Sequence, residues 1–359
     1  MRILLYGSHL LHWRSLIPVG CELSRRGHAI VIQTTRPDCL GMPTYQMNWR
    51  PTKVTGINRT SLNWLAGKMG YGEEWQQASG GWQLGMREAK ADQYVTTTKD
   101  MGWLWGQSPN GGRFAVGYQH IPVICETSFI SGWIYAPSEG GLPNPFVRPH
   151  AFAVSHEFGR LFEGCSVSRC GFPHLDKTPV DLEVPRPTVL VQHSGGHRGI
   201  TGHRWMIDVC REAVEAGYDA AISAHWIPGV GYDDISLHYA MKAKFPWSTG
   251  YWFTPDWRSV AGGCSLILTT GSSAAYEMWA VGLTNVFVLG YVGGQRQEKF
   301  RLFPDLMIES PEALRKLLKG LPRSAQATEP LTRTVMEAYQ SIHTGQGAKM
   351  AADVIEGRQ

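Results

Sequence analysis

One stretch limits the possible folds more than any other. The apolar run Cys264-Ser265-Leu266-Ile267-Leu268 leads into Thr269-Thr270-Gly271-Ser272-Ser273-Ala274-Ala275-Tyr276-Glu277. Met278-Trp279-Ala280-Val281-Gly282 follows, then a second run, Val286-Phe287-Val288-Leu289. This order predicts a strand, a small-residue turn, a helix and another strand. A turn of Gly and Ser that opens a helix presents unsatisfied backbone N–H groups and hydroxyls to an anion. Glu277 stands one turn into that helix, where a carboxylate can accept hydrogen bonds from ribose hydroxyls. The unit predicts a pocket for a nucleotide diphosphate.

The rest of the chain repeats this rhythm. Arg2–Tyr6 is a predicted strand, Trp13–Arg26 a helix stopped by Gly27, and Ala29–Thr34 the next strand, the start of a doubly wound domain. Residues 41–112 are rich in Trp, Gly, Asn and Gln with weak periodicity, and are expected to form helices and long loops on the substrate side. Short strands are expected at Phe114–Tyr118, Pro122–Cys125 and Ala151–Ser155. Pro179, Pro185 and Pro187 give residues 177–187 the composition of a linker. A second domain then opens with a strand at Thr188–His193, a Gly-rich loop, a helix at Trp205–Ala216 closed by Gly217, and a strand at Asp219–Ser223. The tail reads as two amphipathic helices, Leu331–Ile342 and Gly347–Ile355. The expected organisation is an N-terminal domain over 1–178, a C-terminal domain over 188–330, and tail helices over 331–359 that cross back to the first domain.

Composition narrows the function classes. The 359 residues suffice for two cores, and 43% hydrophobic with 18% charged residues fits a globular chain rather than a disordered one. No apolar run reaches the roughly 20 residues of a membrane span. The first residues read as a strand and turn, not a secretory signal, and the seven cysteines are scattered with no CxxC pair, so a cytoplasmic setting is expected. Residues 1–178 carry 17 Lys and Arg against 12 Asp and Glu, whereas the remainder is nearly balanced at 17 against 18. The first half therefore favours an anionic partner, although a solvated basic surface explains the excess equally well.

Two further loops carry chemistry. His193-Ser194-Gly195-Gly196-His197-Arg198-Gly199 follows a strand and precedes a helix. Gly195 and Gly196 let a pyrophosphate approach the backbone, and Arg198 can add a charge-assisted contact. The loop is neither a Walker A sequence nor GxGxxG. Gly7-Ser8-His9-Leu10-Leu11-His12-Trp13 places two histidines after the first strand, and a neutral histidine is the usual general base near pH 7.

These residues, taken in order, resemble the GT-B glycosyltransferases. In one large branch of that fold the first loop reads Gly-His-x-x-Pro and an Arg-Gly-His closes the first helix. Counting back from Arg26-Gly27-His28 puts the motif histidine on His12, with Leu11 and Ser15 replacing the glycine and proline. The C-terminal half is similar to the GlcNAc transferases of lipid II synthesis in Gly271, Ser272, Ser273 and Glu277, and in Gln295-Arg296-Gln297 beyond the next strand. Gly171-Phe172-Pro173-His174-Leu175-Asp176 resembles a Gly-(Tyr/Phe)-Pro-x-x-Asp segment shared with CDP-glycerol glycerophosphotransferases.

The resemblance implies two Rossmann-like doubly wound domains facing each other across a cleft, and direct displacement at the anomeric carbon of a nucleotide sugar, most simply a UDP-sugar. It implies His12 as general base, with His9 in reserve. Glu277 would bind ribose, Gln295 and Gln297 the sugar, and Ser194, Gly195, Gly196, Arg198, Gly271, Ser272 and Ser273 the diphosphate. Inversion without a metal or other cofactor follows, since no Asp-x-Asp sits at a strand end; Asp233-Asp234 lies in a Gly/Tyr loop.

His120 and Trp13 are placed on the acceptor side. Eight of the 14 tryptophans lie in the basic first half. Basic and aromatic residues together fit nucleic acid, so DNA with hydroxymethylated bases is one acceptor class, beside small molecules and lipid-linked glycans. Two other activities share these features: a UDP-GlcNAc 2-epimerase and a CDP-glycerol-type transferase.

Overall fold

The computed structural model describes residues 1–6, 10–34, 59–84, 93–96, 123–126, 150–153, 166–177, 188–192, 204–223, 251–254, 257–270, 274–292, 304–321 and 345–357. The chain divides into two units. One holds Met1–Phe129, Trp133–Thr178 and Thr344–Gln359; the other holds Ile130–Gly132 and Pro179–His343.

The first unit is built on seven strands. These are β1 (Arg2–Tyr6), β2 (Ala29–Thr34), β3 (Gly81–Leu84), β4 (Gln93–Thr96), β5 (Val123–Glu126), β6 (His150–Ala153) and β7 (Ser166–Arg169). They form one parallel sheet in the order β3-β2-β1-β4-β5-β6-β7. Between β1 and β2 runs α1 (Leu10–Arg25); α2 (Arg59–Lys68) and α3 (Gly72–Ala78) precede β3. The expectation of helices and loops over 41–112 is therefore corrected in part. Two strands of the sheet lie there, and β4 is the direct neighbour of β1, with Tyr6 opposite Thr96. Strands of four residues carry little periodicity of their own, and pairing in a buried sheet outweighs weak propensity.

α1 ends as its sequence requires. Gly27 takes φ +86°, its N–H reaches Ser24 O at 2.9 Å, and His28 N–H reaches Leu23 O at 3.1 Å. This paired closure uses a left-handed residue after the last turn, which costs least at glycine. The buried face of α1 includes Trp13, Leu16 and Ile17. Trp13 is 0% exposed and meets Trp75 of α3 edge-on, ring centroids 6.1 Å apart at 62°. It is a core residue, and its assignment to the acceptor side is corrected: an indole enclosed by protein presents no face to a ligand. Trp64, by contrast, is exposed on α2, with the Lys68 ammonium 6.0 Å from its ring.

The second unit repeats the plan with β8 (Thr188–Gln192), α4 (Arg204–Glu215), β9 (Asp219–Ser223), β10 (Tyr251–Thr254), β11 (Leu266–Thr269), α5 (Ala274–Ala280), β12 (Val286–Leu289), β13 (Met307–Ile308) and α6 (Pro311–Gly320). Its six parallel strands run β10-β9-β8-β11-β12-β13. Every residue of β8, β11 and β12 is buried. Such strands belong to a parallel sheet covered on both faces, which explains their continuous apolar runs. Tyr218 closes one corner: its hydroxyl donates to Leu318 O and Leu321 O, both at 3.1 Å, and ties the end of α6 to the start of β9. Ser310 caps α6 by accepting from Ala313 N–H at 3.2 Å.

The last helix, α7 (Gly347–Ile355), belongs to the first unit. Two devices hold it there. Asp176 accepts from Gly347 N–H at 2.9 Å and Ala348 N–H at 2.8 Å, capping the helix start. The segment Gly171–Asp176 thus has a structural task. A side chain at Gly347 is excluded, because a Cβ there would lie 2.5 Å from Cys170 O and 2.8 Å from Pro173 N. At the other end Arg26 donates to Asp353 Oδ1 at 2.6 Å, Glu356 Oε2 at 2.7 Å and Glu22 Oε1 at 2.8 Å. His28 Nε2 lies 2.7 Å from Glu356 Oε1. The Glu22 carboxyl is held below the usual carboxylate range by its hydrogen bonds to Arg25 and Arg26.

Two outcomes follow. Arg26→Ala leaves the Glu22, Asp353 and Glu356 carboxylates crowded without their cation. The expected loss is about 2–3 kcal/mol, seen as a lower melting temperature with faster hydrogen exchange in α7; unchanged exchange there contradicts the latch. Trp13→Ala is expected to cost about 3–5 kcal/mol, the scale of an emptied aromatic core site. A variant as stable as the parent in thermal melts refutes the core assignment.

Candidate functional site

In a doubly wound sheet, ligands bind outside the carboxyl ends of the strands, where the strand order reverses. In the second unit that point lies between β8 and β11. From β8 the chain winds outward through β9 to β10, and from β11 it winds the other way through β12 to β13. The register pairs Leu266 with Val189, Ile267 with Leu190 and Leu268 with Val191, which sets Thr269 beside Gln192. The chain leaves β8 at Gln192 directly into the glycine loop 193–199. It leaves β11 at Thr269 directly into the Gly/Ser turn. Both predicted anion-binding stretches therefore follow adjacent strand ends, about 5 Å apart.

The side chains at this edge differ from those below them. The strands are apolar along Val189, Leu190, Val191, Leu266, Ile267 and Leu268, yet they end in Gln192 and Thr269, both buried. β9 ends in the buried Ser223, opposite Gln192 in register. Thr270 is buried as well. The sequence reading overlooked this polar row, although a signal was present: each apolar run stops at a residue with a hydrogen-bonding side chain immediately before a loop.

Glu277 is the fourth residue of α5 and is only 2% exposed. Every residue of this short helix is buried. Tyr276 and Trp279 pack edge-on at 5.2 Å, and Trp279 Nε1 donates to Val286 O at 3.3 Å, fixing α5 to β12. Burial pushes the Tyr276 hydroxyl well above its ordinary pKa, so it stays protonated.

In the first unit the order reverses between β1 and β4, whose ends Tyr6 and Thr96 are paired. The predicted histidine loop leaves from this point, and His12 is the third residue of α1. The side chain of His12 lies outside the described residues, as does the whole of His9. His120 lies outside them too. So do Ser194, Gly195, Gly196 and Arg198 in one loop, Gly271, Ser272 and Ser273 in the other, and Gln295 and Gln297 beyond β12. Among the described residues no group of three or more His, Cys, Asp or Glu is arranged to hold a metal ion. No described helix is long and apolar enough to cross a membrane.

No protein-family model matches the chain, and no curated protein matches it in sequence. Solved structures do match along its length. CalG4, the calicheamicin glycosyltransferase, aligns over 99% of this chain and 97% of its own at 16% identity and a TM-score of 0.57. A UDP co-structure of S. aureus MnaA aligns over 99% and 96% at 10% identity and a TM-score of 0.57. The UDP-GlcNAc 2-epimerase from Methanocaldococcus jannaschii aligns over 99% and 100% at 11% identity and a TM-score of 0.53. Two parallel doubly wound units and these likenesses give one fold: the chain is GT-B, the architecture that glycosyltransferases and UDP-GlcNAc 2-epimerases share.

Proposed function

We propose that this protein is a glycosyltransferase that uses a nucleotide sugar, UDP-linked, and transfers the sugar to an acceptor hydroxyl with inversion and without a metal. One observation carries the reading: the two glycine/serine loops start from neighbouring strand ends at the reversal point of the second sheet. Backbone N–H groups of Gly195, Gly196, Ser272 and Ser273, aided by the Ser194 hydroxyl and Gly271 in the turn, bind the diphosphate and stabilise it as it departs. Arg198 adds positive charge. Glu277, a buried carboxylate of α5, receives the ribose hydroxyls. Gln295 and Gln297 bind the sugar. His12 removes the acceptor proton as attack proceeds, with His9 the alternative base and His120 on the acceptor side.

The UDP assignment is supported by the UDP co-structure with the same fold. The acceptor is proposed to engage the basic first unit, where Trp64 beside Lys68 offers an exposed ring for stacking on a sugar or a base. DNA bearing hydroxymethylated bases is one acceptor class that fits.

The epimerase reading keeps support from the fold of the Methanocaldococcus enzyme, and a single assay separates the two. The purified protein is screened by thermal shift against UDP, GDP, CDP and dTDP, then incubated with UDP-GlcNAc without acceptor. A UDP-dependent rise in melting temperature and neither UDP-ManNAc nor ManNAc are expected. Formation of UDP-ManNAc or of ManNAc with release of UDP assigns the protein to the epimerases, and a response to CDP alone redirects the donor toward CDP-glycerol.

A further inference from the structure

We propose that Asp176 is the positioning residue of a clasp. It fastens the chain where it leaves the first unit to the chain where it comes back, and so gives these two connections to the second unit a common, fixed base. The inference goes beyond the donor reading and does not rest on it.

The first unit gives way to the second after Thr178 and resumes at Thr344. Asp176 stands just before that exit, and Gly347 and Ala348 just after that return. One carboxylate joins them. Oδ1 accepts from Gly347 N–H at 2.9 Å and Oδ2 from Ala348 N–H at 2.8 Å, across 171 and 172 positions of sequence. The opening N–H groups of a helix need acceptors, and an anion suits them best.

A helix has a simpler way of meeting that need. The residue ahead of its first turn normally supplies the acceptor, and α6 in the second unit does so with Ser310. In α7 that position is Gln346, whose side chain makes no capping bond. The acceptor comes instead from the departing chain. A local cap would stabilise the helix; only a distant one also ties two segments together.

Both sides of the tie are anchored. Leu175 N–H reaches Phe172 O at 2.9 Å, which closes the turn that presents Asp176, and Phe172, Pro173 and His174 are buried. Beside Asp176, Lys177 pairs with Glu74 of α3 and sets its ammonium 4.3 Å from the centre of the Tyr71 ring. On the returning side, Gly347 lies too near Cys170 O and Pro173 N to carry a side chain. Ala351, Ala352 and Ile355 of α7 are buried. Departing and returning chain therefore share one foundation in the first unit. A displacement of the second unit is borne there by both connections together, and α7 is not peeled away alone.

Two readouts separate a clasp from an ordinary cap. Nitroxide labels at exposed Gln76 of α3 and exposed Lys316 of α6, attached through unnatural amino acids, report the distribution of distances between the units. Hydrogen exchange reports the first turn of α7. In Asp176→Ala that turn is expected to exchange about tenfold faster, the scale of a lost cap, and the distance distribution is expected to broaden. Asp176→Ala combined with Gln346→Asp gives α7 a cap of its own. Exchange is then expected to return to the parental rate while the distribution stays broad, because the segments remain untied. Asp176→Asn keeps one acceptor oxygen, is expected to fall between the parent and Asp176→Ala on both readouts, and carries the test if the alanine variant does not fold.

A distance distribution in the Asp176 variants equal to that of the parent overturns the inference. So do parental exchange rates at the start of α7. Recovery of both readouts in the double variant overturns it as well, because Asp176 is then a cap and nothing more. None of these outcomes touches the donor site, which UDP binding tests separately.

Discussion

The reversal of strand order between β8 and β11 is the constraint on which the second unit depends. Two adjacent parallel strands whose crossovers leave in opposite directions must open a crevice between the segments that follow them. Everything proposed about the donor stems from that opening. In the proposed reading, backbone N–H groups that follow those two strand ends grip the diphosphate and stabilise it as it departs.

The first unit has a reversal of its own, between β1 and β4, and a different elaboration. Its α1 is secured at both ends. Trp13 and Trp75 interlock in the core, while Arg26 and His28 gather carboxylates from α1 and α7. The Arg26-Gly27-His28 sequence therefore acts structurally. Gly27 closes the helix, and its two neighbours hold the last helix of the chain to the first unit. The Asp176 cap at the other end of α7 completes that attachment. A segment that follows the whole second unit in sequence is in this way built into the first.

Much of the architecture was legible from residues whose local chemistry and tertiary role agree. Arg2–Tyr6, Ala29–Thr34, Asp219–Ser223 and Gly347–Ile355 have the bounds that periodicity predicts, and α1 and α4 stop at the glycines expected to stop them. What escaped were elements specified by their neighbours. β4 is four residues in a Trp- and Gly-rich stretch, and only its pairing with β1 makes it a strand. Tryptophan was ambiguous for the same reason: Trp13 and Trp64 look alike in sequence, yet one is enclosed against Trp75 and the other is exposed beside Lys68. In the candidate site, the sequence shows glycine and serine clusters directly after β8 and β11, which lie outside the described residues. The polar row at the strand ends was not legible, because Ser223 and Gln192 are far apart in sequence and are paired only through register.

The central claim is that the second unit holds a nucleoside diphosphate at the carboxyl ends of β8 and β11. A crystal structure of the protein with UDP tests it most directly. The account predicts diphosphate oxygens about 3 Å from backbone N–H groups of the turn after Thr269 and of the loop after Gln192. UDP bound elsewhere, with both turns free of it, contradicts the account.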